Sequence, residues 1–366
     1  MSHSRTAPMN RRTFFKLGLS TAVGGALAGS MSGCSSSSSS SSEEDGDLSG
    51  ITLGMLNYEG WMGETEVDAF EDETGCAIEQ YATPDGGDSA WVSKISQAEG
   101  AYDFALAGIQ VADALNENGL LAEFDESLVP NLANIPDEYK EAYPYGIPVE
   151  QGKLGFIYNT ELMETPPQSW AELFANAADY SGALVLPNFD SDVIDCGLMA
   201  LGIDINTEDL DDIEAAKQAV IDIKPHIKAF LDSGAAEAVA DGSATIAVAY
   251  DYDFAYVAPD AANIAWFVPE EGTFGYLDGW VPLADSENLD AVYEFMDFHL
   301  ETENYVDFIN TTWASWLMDG IADELDESIG SCEALDPSLA SVTYQQPLPA
   351  EVTAEITAAF QEIQIA

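Results

Sequence analysis

The chain has 366 residues, of which 66 are acidic and 10 basic, giving a formal net charge of −56. Hydrophobic residues make up 47% of it and aromatic residues 10%, so the charge does not mean intrinsic disorder. A chain this acidic also excludes nucleic acid and anionic lipid surfaces as partners, since both would repel it.

Residues 1–34 read as an export signal. Arg11 and Arg12 form a twin-arginine pair within Asn10-Arg11-Arg12-Thr13-Phe14-Phe15-Lys16. The apolar run Leu17–Leu27 is rich in Gly and Ala and too short for a stable membrane span. Ser32 and Gly33 before Cys34 have the form of a lipobox. This predicts a chain exported already folded by the twin-arginine route. Lipid on Cys34 would then hold it on the outer face of the cytoplasmic membrane. The alternative is an uncleaved single-pass anchor, which puts the rest of the chain on the same side. Eight serines (Ser35–Ser42) and Glu43-Glu44-Asp45-Gly46-Asp47 follow as an acidic linker over residues 35–48. Such a tract buries no core and reaches on the order of 20 Å.

No arginine follows Arg12, and the lysines beyond the signal are Lys94, Lys140, Lys153, Lys217, Lys224 and Lys228. Every acidic residue follows Cys34, so the exported part carries about −60, a charge whose self-repulsion opposes a compact state at low ionic strength. At molar salt the screening length falls to about 3 Å, and the charge reads as adaptation to a hypersaline medium.

The length beyond the linker suggests two domains. In chain order, Ile51–Leu56 reads as a buried strand, Glu64–Thr74 as a helix stopped by Gly75, and Ala77–Tyr81 as a strand. Ala90–Glu99 is a helix, Phe104–Ala107 a strand and Ala112–Asn118 a helix. After a Pro- and Asn-rich loop (Pro130–Pro136), Ile147-Pro148 and Leu154–Tyr158 read as strand. Ser169 is an N-cap for a helix to Ala178, Leu184–Leu186 a strand and Val193–Leu201 a helix. Asp211–Leu231 reads as a long helix bent near Pro225. Thr245–Ala249 and Ile264–Val268 are strands; Leu289–Leu300, Asn304–Thr311 and Ala350–Ile363 are helices. The alternation predicts an α/β fold of two lobes, each a mostly parallel sheet flanked by helices, with a cleft between them. The expected boundaries are 49–147 plus 279–318 for one lobe and 148–278 plus 319–366 for the other.

No phosphate loop, nucleotide fingerprint or nucleophile elbow appears, and no spacing of Ser, His and Asp selects a triad. His299, inside an amphipathic helix, reads as a partly exposed structural histidine. Beyond Cys34 the cysteines are Cys76, Cys196 and Cys332, an odd number with no metal-ligand spacing. Cys76 is expected to be a buried free thiol, and Cys196 and Cys332 to lie in one lobe where they can pair. What stands out is aromatic residues beside acids near strand ends: Asn57-Tyr58-Glu59-Gly60-Trp61, Tyr250-Asp251-Tyr252-Asp253 and Gly275-Tyr276-Leu277-Asp278. Ligands of open α/β sheets collect at the carboxyl ends of strands. Aromatic faces and carboxylates together suit a small organic cation.

At these clusters residues 50–330 resemble the polyamine-binding (spermidine/putrescine) proteins of ABC importers. Further markers are Gly100-Ala101-Tyr102-Asp103, Gly146-Ile147-Pro148, Ser169-Trp170-Ala171-Glu172-Leu173, Asp212-Ile213-Glu214-Ala215-Ala216 and Trp266-Phe267-Val268-Pro269-Glu270-Glu271-Gly272. The resemblance implies a two-lobe, type II periplasmic-binding-protein fold that traps ligand between its lobes, with no catalysis and no cofactor. It implies delivery to membrane permeases with a cytoplasmic ATPase, a monomeric state and contact with the membrane through the N-terminal lipid alone. The family's first-strand aromatics match Tyr58 and Trp61, its late-strand aromatic Tyr250, and its aromatic-x-acid pair Tyr276 and Asp278. Asp278 is thus the acid expected to grip an amine. A second acid falls within Asp190–Asp195, and a family Gln matches Gln345 or Gln346. The candidate ligand-binding set is Tyr58, Trp61, Gln110, Asp190, Asp192, Tyr250, Asp251, Tyr276, Asp278 and Gln346. Where the family often has Ser or Thr and Tyr after the third strand, this chain has Gly108-Ile109-Gln110, and Tyr stands for Trp at Tyr58, Tyr250 and Tyr276. Those departures leave room for a sugar, thiamine or amino acid as ligand. An extracellular hydrolase is the alternative of a different class.

Overall fold

The computed structural model describes residues 48–84, 88–98, 100–231 and 233–366. Arg11, Arg12, Cys34 and the serine tract lie outside the described residues. The strands are β1 (Thr52–Asn57), β2 (Ala77–Ala82), β3 (Phe104–Gly108), β4 (Ile147–Asn159), β5 (Leu184–Pro187), β6 (Ile227–Leu231), β7 (Ile246–Tyr250), β8 (Ile264–Phe267), β9 (Thr273–Pro282) and β10 (Val342–Tyr344).

Two sheets meet at one shared strand, β4. The first runs β2-β1-β3-β9-β4, with β1 parallel to β2 and β3 and β9 antiparallel to β3. The second runs β4-β7-β5-β6, with β5 parallel to β6 and β7, and β8 on β4. Continuous apolar runs fix the central strands: Leu53 to Leu56 and Phe104 to Ala107 are buried throughout, as strands covered on both faces must be. β4 belongs to both sheets. Its first half pairs with β9 and its second half with β7 and β8. The sequence suggests two short strands there because Glu150, Gln151 and Lys153 interrupt the apolar run. All three are buried, and the strand continues through them for thirteen residues.

Each sheet carries its own core. The first gathers Leu53, Phe70, Phe104, Trp280, Phe295 and Phe308; the second gathers Phe156, Trp170, Leu186, Ile213, Val248 and Phe274. Each such ring or branched side chain contributes about 1.5–3 kcal/mol on burial. Ile321, Leu325, Ile329 and Leu335 pack in the first core, although residues 319–366 were expected with the second lobe. Val352, Ile356, Ala359 and Ile363 return to the second core, so the chain crosses between them a third time after Tyr344.

Local chemistry sets the element ends. Gly75 stops the helix Glu66–Thr74 at φ 73°, a left-handed conformation that glycine adopts without strain. Ser169 caps Trp170–Ala175 by accepting the Glu172 N–H at 3.0 Å. The expected helix from Asp211 to Leu231 divides instead into the helix Leu210–Ile223, a turn at Lys224–His226 and strand β6. Pro225 has no N–H to continue the helix, and Ile227–Leu231 finds hydrogen-bond partners on β5. The helices Ile109–Glu117 and Asp190–Leu201 each begin three residues earlier than the sequence suggests, which places Gln110, Asp190 and Asp192 on first turns.

His299 is fully buried rather than partly exposed, with Nδ1 2.5 Å from Glu66 Oε1. Cys76, Cys196 and Cys332 are all unbridged. Cys196 sits in the second core and Cys332 against the first, so the two are not neighbours in one lobe.

Candidate functional site

The crossing strands meet the ends of β1 and β7 at one place. β9 was not expected as a strand, and Tyr276 and Asp278 lie inside it rather than in a loop after it. Their i, i+2 spacing sends both side chains to the same face. Asp278 lies in register with Gly108 of β3 on one side and Glu150 of β4 on the other. A Cβ on Gly108 would come within 3.0 Å of Asp278 Oδ1, so the glycine leaves room for the carboxyl. The register of β4 shifts between Pro148 and Glu150. That irregularity turns Glu150 onto the face of Asp278, as a bulge re-aims the side chains beyond it.

The two acids are buried: Glu150 is 0% exposed and Asp278 8%. Glu150 Oε1 accepts from Trp61 Nε1, while Oε2 completes no hydrogen bond. Burial, and then the neighbouring Asp278 charge, hold the Glu150 carboxyl well above the usual carboxylate range; the Trp61 indole and Tyr276 phenol oppose this. Burial pushes Asp278 up to about 7.

Aromatic rings wall this acid pair. Asn57 folds the loop after β1 by accepting the Tyr58 N–H at 2.7 Å and donating to the Trp61 carbonyl at 2.6 Å. Trp61 meets Tyr252 edge-on at 6.0 Å. Tyr252 stacks on Tyr250 at 5.4 Å with a 7° interplanar angle, and Tyr250 meets Tyr276 edge-on at 5.6 Å. Tyr58 packs edge-on against Trp91, and its phenol is raised by burial and then by the Asp278 and Glu150 charges.

A second acidic end lies beyond Tyr250. The Tyr250 hydroxyl donates to Asp192 Oδ2 at 2.8 Å. Gln345 Nε2 reaches Asp192 Oδ1 at 3.2 Å and Asp195 Oδ2 at 2.6 Å, and Gln110 Nε2 reaches Gln345 Oε1 at 3.5 Å. Burial pushes Asp192 up to about 6 and holds Asp195 well above the usual range. Among the described residues, no group of three or more His, Cys, Asp or Glu is placed to hold a metal ion.

The structure thus brings together Tyr58, Trp61, Gln110, Asp192, Tyr250, Tyr276 and Asp278. Three other expected residues face elsewhere. Asp251 is 0% exposed and holds Lys153 Nζ at 3.2 Å and the Ser315 hydroxyl at 2.7 Å, so its charge is already met. Asp190 accepts from Thr357 of the C-terminal helix at 2.7 Å. Gln346 is exposed, its backbone N–H bonded to Asn206 Oδ1; the glutamine that enters the site is Gln345. Sequence reasoning missed Glu150 and Tyr252 as site residues and left Asp195 open within Asp190–Asp195. Tyr252 carried the signal of its motif, and Asp195 stands one helical turn from Asp192. Glu150 carried none, because its direction depends on the irregularity in β4.

A family model described as bacterial extracellular solute-binding protein matches residues 66–316. The spermidine/putrescine-binding periplasmic protein of Escherichia coli is 24% identical over 261 residues, 69% of this chain and 73% of that one. The putrescine/cadaverine-binding protein of Pseudomonas aeruginosa is 24% identical over 274 residues, 70% of this chain and 77% of that one. Among solved structures, the spermidine/putrescine ABC transporter substrate-binding protein of Streptococcus pneumoniae superposes with a TM-score of 0.75 at 21% identity. It covers 86% of this chain and 99% of its own. A Treponema pallidum lipoprotein superposes with a TM-score of 0.74 at 20% identity, over 86% of this chain and 100% of its own. These likenesses agree in fold with two sheets joined at β4 and β9.

Proposed function

The chain belongs to the bacterial extracellular solute-binding protein family, and from that premise we propose that its solute is a polyamine such as putrescine or spermidine. The observation that carries this reading is the buried, facing pair Glu150 and Asp278 inside a wall of aromatic rings. Two carboxyls out of water call for a cation. The rings of Trp61, Tyr252, Tyr250 and Tyr276 are linked in series and suit a methylene chain with charged ends. Asp192 and Asp195, one ring further on, suit a second ammonium. The names of the relatives in Escherichia coli and Pseudomonas aeruginosa support the same ligand class. Delivery to an ABC importer follows from that likeness. The Arg11-Arg12 pair and Cys34 support export by the twin-arginine route and a lipid tether beside the permease.

Calorimetric titration with putrescine and spermidine in molar salt tests the ligand. Binding is expected with at least one of them. Asp278→Asn, which keeps shape and removes charge, should weaken it about ten- to a hundredfold, the worth of one charge-assisted bond. Binding of thiamine, a sugar or an amino acid with no response to either amine would replace the ligand within the same family. Fractionation of Cys34→Ser should find the protein released from membranes or held by an uncleaved signal; unchanged fractionation and mobility would remove the tether.

A further inference from the structure

We propose that Glu150 and Asp278 share one proton in the empty cleft and surrender it to solvent when an ammonium group enters, so that capture exchanges one cation for another. The proposal rests on the reading of the solute as an amine.

The two carboxyls face each other in register across β4 and β9, and both are buried. Two ionised carboxylates so placed repel strongly, and one proton between them removes that repulsion. Glu150 Oε2 is also buried without any hydrogen-bond partner, the position a shared proton or an ammonium N–H would fill. The other buried acids nearby have hydrogen-bond partners. Asp251 has Lys153 and Ser315, and Asp192 and Asp195 have Tyr250 and Gln345.

Asp192 and Asp195 beyond Tyr250 are also raised by burial and titrate beside the pair, so the test removes them; the remaining neighbours do not take over its proton. Lys153 and Asp251 neutralise each other. The phenols that sense these acids are Tyr58, Tyr143, Tyr276 and Tyr305. Burial, reinforced by the carboxylates, raises all four, so they stay neutral and do not accept the proton. Burial also pushes Asp278 up to about 7 and Glu150 above its usual range, which agrees with a proton retained near neutrality.

The exchange balances. The empty pair carries one proton and one negative charge. The filled pair carries two negative charges and faces one ammonium, whose N–H groups replace the O–H. The local charge is the same in both states, and the proton leaves to buffer. Apparent affinity should then rise with pH, about tenfold per unit, until the empty pair ionises by itself.

The test is calorimetric titration of putrescine in molar potassium chloride, in two buffers of different ionisation heat. In an Asp192→Asn, Asp195→Asn background, which removes the other raised acids, binding at about pH 6 should release about one proton per ligand, falling toward none at about pH 9. Glu150→Gln should still bind, more weakly at high pH, with the release fading at a lower pH, because Asp278 then keeps its burial but loses its charged neighbour. Infrared difference spectra of the ligand-free protein add a readout independent of ligand. In the Asp192→Asn, Asp195→Asn background the carbonyl stretch of a protonated acid should be present at neutral pH and lost when Glu150→Gln and Asp278→Asn are added together. Putrescine binding without proton release at any pH would overturn the exchange and leave the polyamine reading intact. Failure of every polyamine to bind would overturn that reading. In that event a ligand-free spectrum lacking the acid band would reject the shared proton as well.

Discussion

Lys153 settles how much negative charge the cleft presents. It is 1% exposed, and its ammonium contacts Asp251 and Ser315, which are also hydrogen-bonded to each other. Without it, Asp251 would be a third buried carboxylate beside Glu150 and Asp278. Breaking a buried pair by removing one partner leaves an uncompensated charge, so Lys153→Met should destabilise the fold by about 3–5 kcal/mol. The double change Lys153→Met with Asp251→Leu should recover much of that loss, because neither charge remains. Denaturant unfolding in molar salt measures both. A Lys153→Met protein as stable as the parent would show that the bridge contributes nothing. The same residues show what single positions disclose in advance. Trp61, Tyr250, Tyr276 and Asp278 were legible because each stands in a short aromatic–acid motif. Asp251 belongs to the same kind of motif and was misread, since nothing in the sequence pairs it with a lysine 98 positions away.

At the scale of elements, β4 and β9 position the site, and β9 was the strand least visible in advance. β1, β3 and β7 are short apolar runs with clear ends, and such runs announce themselves. β9 mixes Gly275, Tyr276, Asp278 and Gly279 among its apolar residues, a composition that reads as loop. Its glycines admit the opposite strand closely: a Cβ at Gly275 would stand 1.9 Å from the Gly152 carbonyl oxygen. β4 in turn accommodates β9 through Gly152, where a Cβ would stand 2.3 Å from the Tyr276 ring. Gly152→Ala should therefore keep the strand pairing but turn the Tyr276 ring out of place. The loss of one desolvated ring against a cation is worth about a factor of ten in affinity. Calorimetry should show that loss while the melting temperature without ligand moves little. A melting temperature that collapses would mean that the strand cannot absorb the methyl group. The segment 211–231 was misread for a related reason: its apolar spacing suits a helix, and β5 decides the conformation of its last five residues.

For the whole molecule, the net charge of −56 acts against cores of ordinary composition. Folded domains hold a surplus of about 5–15 kcal/mol, and unscreened repulsion over the entire surface acts directly on it. Dialysis from molar to millimolar salt should abolish the folded circular dichroism spectrum, with recovery on restoring salt. A spectrum unchanged at millimolar salt would show that the acidity is not a salt adaptation. The third crossing of the chain has a consequence for the order of events during synthesis. The first core needs Leu335, and the second needs Val352, Ile356 and Ile363 from the last helix. Neither lobe is a continuous stretch that emerges early and closes alone. The first must wait for Leu335 and the second for Ile363. Folding is then a late event for both lobes, and the proposed twin-arginine route, which carries folded cargo, would come after it.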